Sequence, residues 1–285
     1  MAFERQQFET ALQAVREELS LYGKLLHLSQ VQEISIHLFE TLGSTNRTLW
    51  KLLSQGASAG TVVIAAQQTA GRGQWGRQWQ SSIGGLYLSL ALAPNLQASN
   101  SAQLTLCSAW GIATALRVYG IPAFLKWPND LLLKGRKLGG ILTETRVQQG
   151  QITKAVVGVG INWSNSVPDL GINLQSFCEE QLSPSVTSLE MLAAIVLQGL
   201  HLGHQYWSEK GIEILLKSYL ELLDRQGGHV VVDGNPGVIT GVTPTGELRV
   251  CLNPTAAATA SSGESPCLAP TEICLKPGTI SLGYR

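Results

Sequence analysis

Two short stretches of this sequence concentrate side chains able to handle a phosphate. In the first, Gly71-Arg72-Gly73-Gln74-Trp75-Gly76-Arg77-Gln78-Trp79, three glycines are interleaved with two arginines and two tryptophans. Glycine lets backbone N–H groups approach an anion, the arginine fork binds phosphate oxygens in pairs, and an indole can stack on a base or cover an apolar ligand. The stretch formally matches the dinucleotide fingerprint G-x-G-x-x-G. We reject that match, because the following RQWQSSIGG has no helical pattern and no acid stands about twenty residues on to hold a ribose. An ordinary β-loop with surface arginines and packed tryptophans is the plainer alternative.

The second stretch is Lys126-Trp127-Pro128-Asn129-Asp130 followed by Lys134-Gly135-Arg136-Lys137-Leu138-Gly139-Gly140. Asp130 could orient a ribose, a metal-bound phosphate or a lysine, or it could simply pair with a neighbouring cation. Lys137, read as the tip of a hairpin before paired glycines, could swing its ammonium into a pocket, although a lysine in a turn is equally well explained by solvation. A third segment, Val156-Val157-Gly158-Val159-Gly160-Ile161-Asn162, places glycines inside a strand, which weakens it unless a ligand or another strand must come close. Asn162 could bond a ligand or close a strand-end turn. His201 and His204 share a helix without a carboxylate to complete a metal set and are read as structural, so no metal site is expected. Neither a P-loop nor a G-x-S-x-G elbow is present.

Charge supports the emphasis on these segments. Lys plus Arg and Asp plus Glu number 20 each, so the net charge of zero argues against bulk attraction to DNA or to an anionic membrane. Residues 41–143 nonetheless hold nine basic residues and the single acid Asp130, and six of the nine lie in the two stretches above. Such focused charge suits a small polyanion, a nucleotide above all; a solvated basic face is the alternative. No apolar run reaches the roughly 18–20 residues of a membrane span, and MAFERQQFET is not a secretory signal. Five cysteines without a CxxC point to a reducing compartment, the cytoplasm, and to neither zinc nor a disulfide framework.

The elements that must position these residues follow from periodicity. Apolar spacing predicts helices over 8–28, 101–119, 187–207 and 211–224, and a shorter one capped by Ser44 and ending near Gly56. Strands are expected at 61–66, 85–92, 123–127, 130–133, 138–146 and 153–162, with Lys134-Gly135-Arg136-Lys137 as a hairpin turn. After Gln226-Gly227-Gly228 the pattern becomes a small barrel-like all-β unit, with strands at 229–233, 237–243, 247–252, 272–276 and 279–282. Residues 254–270, rich in Pro, Ala and Ser, read as a mobile surface loop.

The ordered set of motifs resembles the biotin–protein ligase family: GSTN at 43–46, QTAGRGQWGRQW at 68–79, GLYLSL at 85–90, KWPNDLLLKGRKLGGIL at 126–142 and VVGVGIN at 156–162, continuing into GVITGVTPTGELRV and PGTISLG. The resemblance implies an α+β fold, a mixed β-sheet with helices on one side as in class II synthetases, followed by a small SH3-like β-barrel. The expected domains are a catalytic one over 1–226, with a helical N-terminal extension over 1–38, and a C-terminal one over 227–285.

It also implies an enzyme that uses biotin, ATP and Mg²⁺ to make biotinyl-5′-AMP, releases pyrophosphate, and transfers biotin to a lysine of a biotin carboxyl carrier domain such as that of acetyl-CoA carboxylase. Carried over position by position, Ser44, Thr45, Asn46 and Gln68 would contact the biotin head group. Gly71, Arg72, Gly73 and Gln74 would form the loop that closes over it. Lys137 would bridge the biotin carboxylate and the α-phosphate, and Gly158 and Gly160 would let the ligand lie against the strand. Arg77, Trp79, Asn129, Asp130 and Asn162 would serve the nucleotide, with Lys137 and Arg72 carrying the catalysis. Two positions depart from the pattern: Gln74 stands where a second arginine is common, and Thr279 where an acid is common. A monomer or homodimer is expected, and the N-terminal helical segment, too short and too acidic for a three-helix DNA-reading domain, argues against a DNA-binding module. A lipoate or octanoate ligase, or a biotin sensor without turnover, are the competing readings.

Overall fold

The structure is a computed structural model that describes residues 3–22, 34–181, 185–252, 271–280 and 282–283. The expected loop at 254–270 and the end of the first helix, 23–28, lie outside the described residues. In chain order the elements are α1 (Arg5–Tyr22), β1 (Ser35–Leu42), α2 (Thr45–Ser54), β2 (Thr61–Gln68), β3 (Gly85–Leu92), β4 (Leu96–Gln97), α3 (Ala102–Val118), β5 (Phe124–Lys126), β6 (Asp130–Leu133), β7 (Arg136–Gln148), β8 (Gln151–Asn162), α4 (Leu174–Glu179), α5 (Leu189–Lys210), α6 (Ile212–Leu222), β9 (His229–Val232), β10 (Asn235–Val242), β11 (Leu248–Leu252) and β12 (Thr271–Leu275).

The large sheet runs β1-β2-β3-β8-β7-β6-β5, with β4 pairing to β8. Only β1 and β2 are parallel; the rest of the path is antiparallel, so the sheet is mixed. Alternation along the strands gives the two faces different fates. Val62, Ile64, Leu86, Leu88, Leu90, Val157, Val159 and Ile161 point into a core shared with α1, α3, α5 and α6. Helix α3 is apolar nearly all round because it lies inside this layer, with Leu106, Ile112, Ala113 and Leu116 fully or almost fully buried. The opposite face carries Val63, Ala91 and Val156 under α2, through Leu49 and Leu53. Beyond α2 this face carries Ser89, Gly158 and Gly160, and it is there that the candidate site forms.

Several expectations need correction. Strand β1 was not anticipated, and it begins inside the segment read as a helical extension. Its alternation is weak, with no buried residue along it, which is how an edge strand reads. Helix α1 buries Phe8, Val15 and Leu19 in the main core, so it is integral to the body rather than appended to it. Lys137 is not at a hairpin tip. Lys134 and Gly135, both at positive φ, make the turn, and β7 has already begun at Arg136. The C-terminal unit is a four-stranded antiparallel sheet, β12-β11-β10-β9, in keeping with a small SH3-like domain. No strand forms at 279–280; residues 277–280 are a turn and bend beside the candidate site.

The small sheet is tied to the large one. Val232, Ile239, Val242, Leu248 and Val250 belong to the main core, Trp127 Nε1 donates to Gly246 O at 2.9 Å, and Gln103 Nε2 donates to Pro244 O at 3.1 Å. These anchors bring the 277–280 turn over the cavity.

Candidate functional site

Helix α2 starts against the sheet, and its first residues set one end of the site. Ser44 is the N-cap in extended conformation, yet its hydroxyl makes no capping bond, and it lines the cavity. Gln68, at the end of β2, accepts from Thr45 N at 2.8 Å and Thr45 Oγ1 at 3.2 Å, and donates to Ser81 Oγ at 2.9 Å. Asn46 is held on all sides. Its Oδ1 accepts from Ser89 Oγ at 2.6 Å, and its Nδ2 donates to Leu142 O at 3.2 Å and Glu144 Oε2 at 2.8 Å. This end of the cavity presents hydroxyls and amides, with the Glu144 carboxylate bonded to Asn46 beside them.

The glycine-rich stretch folds as a tight hairpin over that floor. Trp79 N bonds Gly71 O, Gly73 N bonds Arg77 O, and Gln74–Gly76 forms a single 3₁₀ turn. Trp75 sits at φ 53, a left-handed conformation that a bulky residue seldom adopts, and is 55% exposed. Its ring faces Gly278, where an added Cβ would come within 3.1 Å. The loop therefore touches the C-terminal turn. Arg72 Nη2 pairs with Glu144 Oε2 at 2.7 Å, and the Arg77 guanidinium lies 5.7 Å from the Trp75 ring.

The second stretch supplies the charged end. Lys137 Nζ lies 2.6 Å from Asp130 Oδ1 and 5.3 Å from the Trp79 ring centroid. Its backbone is fixed by bonds to Leu170 O and from Ile172 N, so the lysine projects from a clamped strand. Asn129 closes a two-point clamp on Ile141, donating Nδ2 to its carbonyl while accepting its N–H. Lys126 is paired in register with Asp130 across β5 and β6. Burial pulls its pKa down to about 8; the Lys137, Arg225 and Arg77 charges push the same way and Asp130 opposes them.

These elements enclose a cavity of about 350 Å³ lined by Ser44, Thr45, Asn46, Gln68, Arg72, Gly73, Gln74, Arg77, Trp79, Asn129, Asp130, Lys137, Gly158 and Gly160, all singled out from sequence. Lys126, Trp127, Trp75, Gln78 and the C-terminal Gly278, Thr279, Ile280 and Leu282 also line it, and Pro128, Gly140, Ile141, Leu142 and Val159 complete it. Its charged lining is four cations, Arg72, Arg77, Lys126 and Lys137, against Asp130 alone. Two candidates stand outside. Gly71 sits at the base of the loop, where a Cβ would strike Ser81 Oγ and Trp79 O. Asn162 bonds Lys137 O, Ile172 O and Asn165, which braces the strand that carries Lys137. At Gly158 and Gly160 a Cβ would collide with the Asn46 amide and the Trp79 indole. The room these glycines make is thus taken first by two protein side chains, which they let lie flat on the sheet.

Sequence reasoning missed Glu144, Ser89 and Ser81, ordinary strand and loop residues without a motif to mark them, and it quoted Lys126 without giving it a role. Lys51 and Arg136, two further bases of the basic segment, do not line the cavity. Buried side-chain atoms without a partner among the described residues include Gln74 Oε1 and Trp79 Nε1, both on the cavity wall. An acceptor and a donor left in this way fit a polar ligand. Away from the site, His204 bonds Ser108 and Cys107 and is pulled down to about 3 by burial, with His201 adding to the effect; it stays neutral. No group of three His, Cys, Asp or Glu among the described residues could hold a metal, and no described helix is long and apolar enough to cross a membrane.

Known proteins resemble this chain in sequence and in fold. The model of the Biotin/lipoate A/B protein ligase family matches residues 38–162. A bifunctional ligase/repressor BirA from Bacillus subtilis is 38% identical over 135 residues, 46% of this chain and 42% of that protein, so the chain spans about two fifths of that relative's length. BirA of Salmonella typhimurium is 30% identical over 228 residues, 77% of this chain and 70% of that protein. Among solved structures, the biotin protein ligase of Aquifex aeolicus in complex with biotin and ATP matches the fold with a TM-score of 0.64, at 24% identity, over 88% of this chain and 99% of that one. Sequence likeness over most of both chains and a shared fold lead to one conclusion: this chain belongs to the biotin–protein ligase family.

Proposed function

We propose that the chain is an ATP-dependent biotin–protein ligase that converts biotin and ATP to biotinyl-5′-AMP and pyrophosphate, then passes the biotinyl group to a lysine of a biotin carboxyl carrier domain such as that of acetyl-CoA carboxylase. The observation that carries this reading is the two-ended cavity, with a hydroxyl and amide floor at Ser44, Thr45 and Gln68, near which Arg72 is held through Glu144, joined to a cationic end at Arg77, Lys126 and Lys137. A ureido ring needs the first end and a carboxylate meeting a phosphate needs the second.

In the first step a biotin carboxylate oxygen bonds to the α-phosphorus as the bond to the pyrophosphate oxygen breaks. Two anions must meet, so the contribution of the protein is position and charge. Lys137 would bridge the carboxylate and the α-phosphate, Arg72 would add its charge from the covering loop, and Arg77 and Lys126 would serve the nucleotide. In the second step the acceptor amine bonds to the acyl carbon, AMP leaves, and the amine's proton passes to solvent. The loop over 71–79, backed by the turn at 277–280, keeps water from the mixed anhydride meanwhile. Magnesium finds no carboxylate cluster among the described residues, and Asp130 is engaged by Lys137; the ion would arrive on the phosphates of ATP. The cysteine pattern agrees with a cytoplasmic site of action.

Pyrophosphate release tests the first step and separates the competing readings. Release with biotin and ATP, and none with lipoate or octanoate, is the expected outcome. Release with lipoate or octanoate alone identifies a lipoyl-type ligase, and heat protection by biotin without release identifies a sensor.

A further inference from the structure

Helix α5 is buried over most of its length, yet it carries a polar stripe: Gln198, His201, Gln205 and Ser208, three and four residues apart, share one face. That face lines an open cleft of about 920 Å³ together with α1 and the end of β3. The cleft is on the helical side of the sheet, where Leu90 points, whereas Ser89 beside it turns to the candidate site. Gln198 is only 8% exposed and its amide bonds nothing among the described residues, so the surface it keeps opens into the cleft that it lines. One turn on, His201 Nε2 is also buried without a partner among the described residues. Burial holds the His201 pKa below its ordinary value and the charge of Arg16 on α1 pushes the same way, which places that guanidinium near the ring. Arg16 is half-buried in the wall and has no ion pair among the described residues. The acids of the cleft, Glu9 and Glu17, stand at its exposed lip, where Arg5 pairs with Glu9 and Gln13 donates to Glu17.

We propose that this cleft is a second ligand site, for a monocarboxylate with an apolar body, its carboxylate meeting the Arg16 guanidinium and the Gln198 amide N–H and its body lying along Leu12, Leu90 and Leu92. The inference does not depend on the ligase reading. A buried amide without a partner costs the fold, and an apolar side chain of the same size would fill position 198 more cheaply. An acceptor on a ligand supplies the missing partner. A guanidinium takes a carboxylate in a paired fork, and its charge separates an acid from an alcohol or an amine of the same length. Leu12, Leu90 and Leu92 give the wall an apolar stretch for the rest of the molecule, and the volume is that of a small-molecule site. At the lip, solvent and the Arg5 and Gln13 contacts weaken the opposition of the two glutamates.

The test titrates the full chain with nonanoate by calorimetry, with and without excess biotin. One site per chain is expected, with the same affinity in both conditions, and the His201 ring resonances should shift as it fills. Nonan-1-ol and nonylamine should bind at least about tenfold more weakly, since they lack the group that Arg16 pairs with. Arg16→Gln should weaken nonanoate about tenfold and nonan-1-ol by less than about twofold. Gln198→Leu should leave the denaturant midpoint unchanged or raised, because the amide has no protein partner to lose, while weakening nonanoate several-fold. No binding, or equal binding of the acid and the alcohol, overturns the proposal. So does displacement of nonanoate by biotin, which would put the acid in the cavity on the other face of the sheet. An Arg16→Gln protein that binds nonanoate as the wild type does also overturns it, as does a Gln198→Leu protein with a clearly lowered midpoint, which would give that amide a structural role.

Discussion

Replacing Lys137 by alanine removes one of four cations from the cavity and exposes a second effect that the sequence does not reveal. The ammonium lies 2.6 Å from Asp130 Oδ1, and the Asp130 side chain is only 12% exposed. A charged contact used mainly in the transition state is worth about 2.7–4 kcal/mol, a fall in kcat of roughly 10²–10³-fold. The unmasked carboxylate adds to this. At an effective dielectric of about 20, two unit charges about 5 Å apart repel by about 3 kcal/mol, and Lys126, paired with the same aspartate across β5 and β6, screens part of it. Lys137→Ala should therefore fall at the upper end, near 10³-fold. Asp130→Asn in that background should recover about tenfold, although Asp130→Asn alone should be harmful. The assay is pyrophosphate release at saturating biotin and ATP, with biotin affinity measured separately by calorimetry and expected to change less than about tenfold. An unchanged kcat with only the KM for ATP raised would refute the role given to Lys137. A double variant no faster than Lys137→Ala would refute the part given to the carboxylate.

Three further outcomes are expected. Gln74→Arg should slow escape of biotinyl-AMP about 10–100-fold in a pulse–chase with excess biotin, because a charge-assisted bond of about 1.5–3 kcal/mol replaces a neutral one; an unchanged rate means that backbone and Trp79 contacts alone retain the intermediate. The ligand-free protein loses the Lys126 proton near pH 8, whereas a bound anion favours the charged form, so the KM for ATP should climb above pH 8 by up to about tenfold per unit. Lys126→Arg should flatten that profile, and a wild-type KM constant from pH 7 to 9.5 contradicts the assignment. Gly158→Ala should displace the Asn46 amide from Ser89, destabilise the protein by about 1–3 kcal/mol in denaturant unfolding and weaken biotin binding; an unaffected midpoint shows that the floor can give way.

Most of the site was legible because its residues sit in contiguous motifs whose chemistry is carried by residue type. Glycines with arginines, and a lone acid among bases, are informative whatever fold surrounds them. Helices with a strong apolar stripe, and strands buried on both faces such as β3, were equally plain. What escaped depends on pairing across the sheet. Glu144 reaches Asn46 and Arg72 only because β7 lies beside β8 in register, Leu142 opposite Gly158. Edge strand β1, without a buried residue, carries too little apolar signal to be seen. The hairpin at Lys134-Gly135 was expected, but its tightness moved Lys137 off the tip and into the strand, where backbone bonds fix it. At Gly158 and Gly160 the sequence revealed that something must come close, while only the three-dimensional arrangement identified it as Asn46 and Trp79. Residues 279–282 read as a strand from composition, yet 277–280 form a turn and bend, whose place over the cavity follows from the docking of the small sheet through Trp127 and Gln103.

The proposed joining of biotin to a carrier lysine at the expense of ATP is tested most directly by incubating the protein with a biotin carboxyl carrier domain, biotin, ATP and Mg²⁺ and weighing the carrier by mass spectrometry. The account predicts one biotinyl group on one lysine, dependent on ATP, and lost to a large extent with Lys137→Ala. A carrier that keeps its unmodified mass under conditions in which an authentic ligase labels it would contradict the account.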